Sequence, residues 1–247
     1  MSAPSGPPAL PPLPSPSRLN LLWRTLRWPV AVVFSLLFRF RAFGVDNIPS
    51  SGGALLLINH QSYLDPMVVA LPMTRPLSMV ARKNLYEIPI LGRIMRGLYG
   101  LAIDRDAPGT GIIREMIRRL EHGFLVGIFP EGTRSSGLEV ARIKPGFLSL
   151  LRRTEVPVIP VGIAGADRAF PKGARFVRPA RICVTFGKPI PEEVLAALKT
   201  RDREQELLSL VRGCLQAEVD RSAERLGLAV EQAATTANAG ELPSIPD

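Results

Sequence analysis

The sequence predicts an α/β protein in which helices flank a mixed, largely parallel sheet. Short apolar runs of strand length alternate along the chain with longer segments of helical periodicity, which is typical of this class. The apolar share of 46% is ample for a core, and the charged share of 21% is ordinary for globular proteins. A length of 247 residues suits one domain with appendages.

Composition divides the chain into four parts. Residues 1–17 hold seven prolines among Ser, Ala and Gly, and are predicted to form a disordered tail. Residues 18–43 are predicted to form an amphipathic, membrane-associating helix, and residues 44–228 the α/β domain. Residues 229–247, rich in Ala, Thr and Pro, are predicted to fray as a flexible C-terminal tail.

The N-terminal helix is predicted from apolar residues flanked by arginines. Residues 28–38 are apolar apart from Ser35, but they fall short of the roughly 20 residues that span a bilayer. No acidic residue precedes Asp46. The pattern indicates a helix that lies in a membrane interface with its arginines at lipid phosphates. A buried core helix and a full span remain open, whereas a signal peptide is disfavoured because the chain starts without positive charge.

The remaining strands and helices are predicted from hydrophobic periodicity and from Pro and Gly residues that mark their ends. Strands are predicted at residues 54–58, 77–81, 100–103, 124–129, 156–163 and 181–186. Helices are predicted at residues 67–71, 84–99, 108–122 and 144–152, with one or two more at 192–228. Pro66 suits the first turn of a helix, and Gly123 suits a helix end. The two prolines of the fifth strand indicate a position near an edge or end of the sheet.

A candidate catalytic pair follows the first predicted strand. His60 stands just beyond that strand, and Asp65 stands at the start of the next helix. Ligands of open α/β sheets bind at the carboxyl ends of strands. A tight turn would let the carboxylate fix the imidazole tautomer and leave the other ring nitrogen free to accept a proton. The alternative is structural, with Asp65 as an ordinary helix N-cap and the imidazole hydrogen-bonded to backbone.

Further charged and small residues stand where other strands end. They are Arg82, Lys83, Asp104, Arg105, Glu131, Gly132, Thr133 and Arg134. A cleft with one base and several cations suits an anionic substrate that must lose a proton, because Arg binds phosphate bidentately. Gly132 would allow close backbone approach, and Glu131 would orient Arg134 or accept a substrate hydroxyl. The alternative for each charge is a solvated side chain or a surface ion pair.

Charge and composition limit the partners. The net charge of +9 and the isoelectric point near 10.3 favour anionic partners. Aromatic residues, at 6%, form no stacking set, so no nucleic-acid partner is expected. The two cysteines, Cys183 and Cys214, lack the spacing of a disulfide framework or a zinc site. No Gly-x-Ser-x-Gly sequence marks a hydrolase nucleophile.

Residues 42–190 resemble the glycerolipid acyltransferases of the 1-acyl-sn-glycerol-3-phosphate acyltransferase type. The four blocks that carry the resemblance, in the family's order, are residues 59–65 (NHQSYLD, its His-x4-Asp block), 100–105 (GLAIDR), 129–135 (FPEGTRS) and 156–161 (VPVIPV). Four ordered blocks are far more specific than one motif. The family also commonly carries an amphipathic or membrane-embedded N-terminal element. Arg82 departs from the lysine expected in many relatives but keeps the charge.

The resemblance implies transfer of an acyl group to the 2-hydroxyl of lysophosphatidic acid, giving phosphatidic acid. His60 would be the general base and Asp65 would orient it. Arg134 and Arg105 are expected to bind the phosphate, with Arg82 or Lys144 as a further cation. The turn of Glu131, Gly132 and Thr133 is expected to complete the glycerol phosphate site. Backbone N–H groups at the start of the helix after Asp65 are one candidate for stabilising the oxyanion. No cofactor or metal is implied; the co-substrate would be acyl-CoA or an acyl carrier protein thioester.

Two other functions remain open at this point. One is transfer to another acceptor, such as glycerol 3-phosphate, another lysophospholipid or a lyso-amino-acid lipid. The other is a non-enzymatic basic protein of the membrane surface, which would explain the charge but not four ordered blocks at strand ends. Membrane phospholipids are expected partners in either case. The lack of a signal peptide and of a disulfide pattern favours the cytoplasmic face of the membrane.

Overall fold

The computed structural model describes residues 12–103 and 110–228. The strands are β1 (Arg41–Phe43), β2 (Ala54–Ile58), β3 (Leu77–Arg82), β4 (Leu101–Ile103), β5 (Leu125–Ile128), β6 (Val158–Ala164) and β7 (Cys183–Phe186). The helices are α1 (Leu21–Phe38), α2 (Asp65–Ala70), α3 (Lys83–Glu87), α4 (Pro89–Gly97), α5 (Thr110–Glu121), α6 (Leu148–Leu151), α7 (Ala166–Ala169), α8 (Glu192–Leu198) and α9 (Glu204–Leu226). The predicted α/β class is confirmed.

Within the described residues the strands form one sheet in the order β1-β7-β6-β2-β5-β3-β4. Every neighbouring pair is parallel except β6 and β7, which are antiparallel. The strands β2, β3, β4, β5 and β6 therefore all end at the same sheet edge. The sheet is mixed and largely parallel, as predicted.

The two sides of β2 face two different helical layers. Leu56 and Ile58 belong to the cluster beneath α1 and α2, whereas Leu55 and Leu57 belong to the cluster beneath α5, α6, α8 and α9. Alternate side chains of a strand point to opposite faces, and all five residues of β2 are buried. A strand covered on both faces reads as a continuous apolar run, which is why its sequence shows no alternation.

The proline-bearing strand was predicted to lie near an edge or an end of the sheet, and the edge position is wrong. β6 is interior, between β7 and β2. The carbonyl of Pro160 accepts from the N–H of Gly187, so the missing N–H of Pro160 faces the residue just beyond the end of β7. The proline therefore removes no hydrogen bond within the β6–β7 ladder, because β7 has already ended at that point.

The first strand was missed by sequence reasoning. Residues 41–43 were predicted within the N-terminal helical segment, but they form β1, which pairs with β7 at one edge of the sheet. Arg39 ends α1 in the left-handed conformation, with φ of 42°, and the chain then turns into β1. The short strand has no periodicity of its own and depends on a partner some 140 residues further along.

Helix α1 joins the core on one side and is exposed on the other. Trp23, Phe34 and Phe38 are buried in the cluster beneath it, whereas Trp28 and Leu36 are 77% and 81% exposed. Its 18 residues have a mean hydropathy of 1.4, which by length and composition alone would allow it to cross a membrane. The helix is longer than the apolar run from which it was predicted.

Several predictions fall on residues outside the described ranges. These are most of the N-terminal tail, the C-terminal tail at residues 229–247, and Arg105. The described end of the N-terminal segment lies near α5, where a ring nitrogen of His122 is 3.3 Å from the carbonyl oxygen of Pro14.

Candidate active site

The candidate site begins where β2 ends. The side chain of Asn59 bonds the backbone of Ile163 twice, donating to its carbonyl at 3.0 Å and accepting from its N–H at 2.7 Å. Both groups are buried, so the amide replaces ladder bonds that the ending strand no longer supplies. This contact fixes the chain just before His60 to the neighbouring strand β6.

The backbone of His60 is held on both sides by the loop that follows β5. Its N–H donates to Oε1 of Glu131 at 2.7 Å, and its carbonyl accepts from the N–H of Ser135 at 2.8 Å. Oε2 of Glu131 accepts from the Ser135 hydroxyl at 3.1 Å and from the N–H of Ala141 at 2.9 Å. Glu131 is 1% exposed, so these contacts occupy its carboxylate inside the protein.

His60 and Asp65 form the predicted pair. Nδ1 of His60 lies 2.8 Å from Oδ2 of Asp65. Because a carboxylate only accepts, the neutral imidazole carries its hydrogen on Nδ1, and the lone pair is on Nε2. The ring also stacks on Phe129, with centroids 4.0 Å apart and planes at 20°, and its side chain is 15% exposed. The imidazole is thus fixed in tautomer and orientation while remaining accessible.

The carboxylate of Asp65 is fully buried and faces back along the chain. Its Oδ2 also accepts the N–H groups of Gln61 and Ser62, at 2.7 and 2.8 Å. It makes no capping bond to α2, whose N-cap position is Leu64, so the alternative of an ordinary N-cap is not what the structure shows. Burial raises the pKa of the Asp65 carboxyl, and the bonds from His60, Ser62 and Gln61 oppose that rise.

The start of α2 does not offer free backbone donors for an oxyanion. The N–H of Asp65 bonds the carbonyl of Ser62, the N–H of Leu64 bonds the Ser62 hydroxyl, and the N–H of Met67 bonds the carbonyl of Leu64. Pro66 has no N–H. The structure therefore argues against this helix start as the candidate source of oxyanion donors, because the tight turn that brings Asp65 to His60 uses those N–H groups itself.

The turn after β5 carries the cations of the site. Gly132 adopts a φ of +66°, and a Cβ there would lie within 3.0 Å of the Lys144 side chain, so Lys144 passes directly over this turn. The guanidinium carbon of Arg134 lies 3.6 Å from the ring centroid of Tyr63, and Nη1 of Arg134 is buried without a hydrogen-bond partner. Tyr63 supports the cation with its ring face while leaving N–H groups unused.

A cavity of about 750 Å³ lies beside the turn that follows His60, where Gln61, Arg134 and Ser135 are among its lining residues. Its cationic lining residues are Arg134, Arg142, Lys172 and Arg212. Gln61 also lines it, and since Nε2 of Gln61 donates to the carbonyl of Gly137 at 2.6 Å, the buried Oε1 is left without a partner. Asp167, a carboxylate at the cavity, already accepts a hydrogen bond from the N–H of Gly137. The cavity therefore suits an anionic group that can also donate a hydrogen bond.

The structure brings most of the predicted site residues to one sheet edge. His60, Asp65, Glu131, Gly132 and Arg134 lie together around the ends of β2 and β5. Thr133 is exposed on the same turn, and Lys144 lies over it. Arg82 is the last residue of β3, which ends at the same edge. Among the described residues, no three His, Cys, Asp or Glu side chains converge as a metal site.

Sequence reasoning missed the aromatic supports and part of the cavity. The sequence assigns Phe129 and Tyr63 no role of their own. In the structure Phe129 stacks on His60, and Tyr63 lies beneath the guanidinium of Arg134. In the sequence, the feature that could have identified these two aromatic residues is their position beside the charged residues of each block. Lys172 and Arg212 lie far along the chain, and no local pattern connects them with the site.

Comparison with known proteins agrees with this geometry. The Acyltransferase family model matches residues 39–164. The 1-acyl-sn-glycerol-3-phosphate acyltransferase of Bacillus subtilis (strain 168) is 24% identical over 173 residues, covering 70% of this chain and 84% of that protein. The protein of the same name from Cocos nucifera is 31% identical over 167 residues, or 65% of this chain but only 50% of that protein.

A solved structure shares the architecture. The crystal structure of the 1-acyl-sn-glycerophosphate (LPA) acyltransferase PlsC from Thermotoga maritima superposes with a TM-score of 0.64 at 25% identity, covering 78% of each chain. The matched family region contains His60, Asp65 and Arg134, together with the strands that position them. The chain therefore belongs to the Acyltransferase family.

Proposed function

We propose that this protein transfers a fatty acyl group from a thioester to the 2-hydroxyl of lysophosphatidic acid, giving phosphatidic acid. The observation that carries the proposal is the imidazole of His60, which a buried carboxylate holds, with the next residue, Gln61, lining a cationic cavity. The names of the relatives from Bacillus subtilis and Thermotoga maritima support this acceptor. The acyl donor would be acyl-CoA or an acyl carrier protein.

His60 acts as the general base in this scheme. Nε2 removes the proton of the acceptor hydroxyl as its oxygen attacks the thioester carbonyl carbon. The tetrahedral intermediate collapses with cleavage of the carbon–sulfur bond, and the thiolate recovers the proton from the imidazolium. Asp65 keeps the hydrogen on Nδ1 and stabilises the imidazolium by charge. No acyl-enzyme is needed, because the hydroxyl attacks directly.

The phosphate of the acceptor is assigned to the cationic cavity. Arg134 presents a buried, unpartnered N–H group there, and a buried guanidinium donor is satisfied best by an oxyanion. Lys144 adds charge above the same turn. Arg82, the last residue of β3, and Arg105 stay candidates for further phosphate contacts. Glu131 serves the site indirectly, since its carboxylate accepts the backbone N–H of His60 and the hydroxyl of Ser135.

The protein is proposed to work at a membrane, on its cytoplasmic face. The exposed side of α1 presents Trp28 and Leu36, whereas its other side is part of the core. A helix whose inner face is occupied by protein suits the interface better than a full span. Both the acceptor and the product are lipids, so this position would give the enzyme direct access to its substrate.

Product analysis tests the proposal. Full-length protein is offered labelled acyl-CoA with lysophosphatidic acid, glycerol 3-phosphate, lysophosphatidylethanolamine or a lyso-amino-acid lipid, and the products are separated by thin-layer chromatography. Labelled phosphatidic acid as the main product is expected. A preference for another acceptor would overturn the assignment within the family, and thioester hydrolysis without transfer would overturn transferase activity itself.

A further inference from the structure

The segment between α7 and β7, residues 171–181, has an unusual surface. We call it the basic loop. Phe176 is 80% exposed and Val177 is 45% exposed, side by side at the surface. Four cations surround them in sequence: Lys172, Arg175, Arg178 and Arg181, all of them exposed. No acidic residue occurs in the sequence between Asp167 and Glu192.

The position of the basic loop connects the active site with α1. At its start, the carbonyl of Phe170 accepts the hydroxyl of Ser62, next to the residues that hold Asp65. At its end, the N–H of Ile182 donates to the carbonyl of Phe38, the last residue of α1. The loop therefore lies at the C-terminal end of α1, beside the helix whose outer face exposes Leu36.

We propose that the basic loop is a second membrane contact, which docks on an anionic phospholipid surface. An exposed aromatic side chain within a cluster of cations suits a lipid interface, which offers both an apolar layer and negatively charged phosphates. The ring enters the boundary between headgroups and acyl chains, and the cations attract lipid phosphates. The uninterrupted positive charge favours a negatively charged surface as the occupant, and continuity with α1 supports a single binding face. Bilayer contact at both ends would bring the Ser62–Asp65 turn close to the lipid surface.

Vesicle binding by the full-length protein tests the role of charge. Arg175→Gln with Arg178→Gln should weaken binding to vesicles of phosphatidylcholine and phosphatidylglycerol by about fivefold per cation, or about 25-fold together. Binding to pure phosphatidylcholine vesicles should stay unchanged. Arg153→Gln is the matched control, because this exposed arginine precedes β6 at the opposite sheet edge. Equal binding of the double variant and the wild type to anionic vesicles would overturn the proposal.

The apolar part has its own test. Phe176→Ser should weaken binding to anionic vesicles by about tenfold, since a buried Phe ring contributes at least that much. Val194→Ser on α8 is the control, because Val194 is also an exposed apolar residue, at 40%, and α8 packs on the other side of the sheet. In a Trp28→Phe background, which removes the exposed tryptophan of α1, Phe176→Trp should show a blue shift of emission on anionic vesicles that Trp28→Phe alone lacks. No shift would count against insertion of the loop.

Two further measurements distinguish membrane contact from a damaged fold and from nucleic-acid binding. Transfer activity in detergent micelles should be unchanged in these variants, which shows that the fold and the active site are intact. If the arginine variants lose binding to an RNA oligonucleotide but keep full binding to vesicles, the loop recognises nucleic acid and the proposal is wrong. Vesicle binding needs no acyl transfer, so these results do not depend on the proposed acceptor.

Discussion

Glu131 holds the backbone of His60 through a bond of 2.7 Å from the His60 N–H to Oε1. The same carboxylate accepts the N–H of Ala141 and the hydroxyl of Ser135 on Oε2. The acidic residue of the Glu-Gly-Thr-Arg turn therefore connects three backbone segments at the edge of the sheet. The His60 imidazole and the cation-bearing turn are positioned by one buried side chain.

Glu131→Gln is expected to destabilise the protein by about 1–3 kcal/mol, because the amide must place an N–H group against another donor in a buried site. Chemical denaturation measures the change, and the transfer rate should fall with it as His60 loses its fixed position. Glu139→Gln is the control: its side chain is 84% exposed and pairs with Arg212 at the surface. A fully stable Glu131→Gln variant would contradict the structural role.

His60→Ala should reduce the transfer rate by about 10²–10⁴-fold, the usual contribution of a general base. The thermal unfolding midpoint should also fall, because the buried Asp65 carboxylate loses the bond from Nδ1 and Phe129 loses its stacking partner, so rates are compared well below that midpoint. Steady-state kinetics and calorimetry on the same preparation check both expectations. Near-normal turnover would remove His60 from the chemistry.

Asp65→Asn should separate activity from stability. Burial raises the pKa of the folded carboxyl above 3.8, so between 3.8 and the folded value the folded protein binds more protons than the unfolded chain. Stability contributed by this group therefore falls as pH rises through that window and stays low above it. The Asp65→Asn variant does not lose stability in this way, because asparagine does not ionise. Transfer should nevertheless drop, because the amide does not stabilise an imidazolium by charge.

Urea unfolding of wild type and Asp65→Asn at several pH values from about 3.5 to 7 measures the effect. The difference between the two free energies of unfolding should change in favour of the variant as pH rises. Parallel pH dependences of the two proteins would show that Asp65 ionises as readily in the folded state as in the unfolded chain.

Arg134→Ala should raise the KM for lysophosphatidic acid about thirtyfold, which corresponds to about 2 kcal/mol for a charge-assisted hydrogen bond. The KM for the acyl donor should change little, and so should kcat. Arg153→Ala, at the opposite edge of the sheet, is the matched control. An unchanged acceptor KM would exclude Arg134 from phosphate binding, whatever the effect on kcat.

Trp28→Ser with Leu36→Ser should shift the protein off phospholipid vesicles and leave its unfolding midpoint unchanged, because both side chains are exposed. Trp23→Ser is the contrasting variant, expected to destabilise by several kcal/mol, since Trp23 is buried in the core. Deleting the whole N-terminal segment would not isolate membrane binding, because it removes part of the core together with β1. Undiminished sedimentation of the double variant with vesicles would count against α1 as the anchor.

The features that sequence reasoning predicted are those determined locally. The apolar run of β2 and the spacing of His60 and Asp65 each lie within a few residues, so strand, turn and pair were predictable together. The interior position of Pro160 was not, because it depends on where β7 ends, at a residue of a different segment. The stack of Arg134 on Tyr63 joins residues 71 positions apart and was equally hidden.

The shared core of α1 and the sheet has a consequence for how the enzyme meets its substrate. A catalytic domain on a flexible tether tumbles above the membrane and must find a productive orientation at each encounter. Here Phe34 and Phe38 are packed among sheet residues, so the angle between α1 and the His60 pair is set once, during folding. If α1 lies in the membrane interface as proposed, the search for a lysolipid acceptor becomes lateral diffusion in two dimensions at a fixed depth.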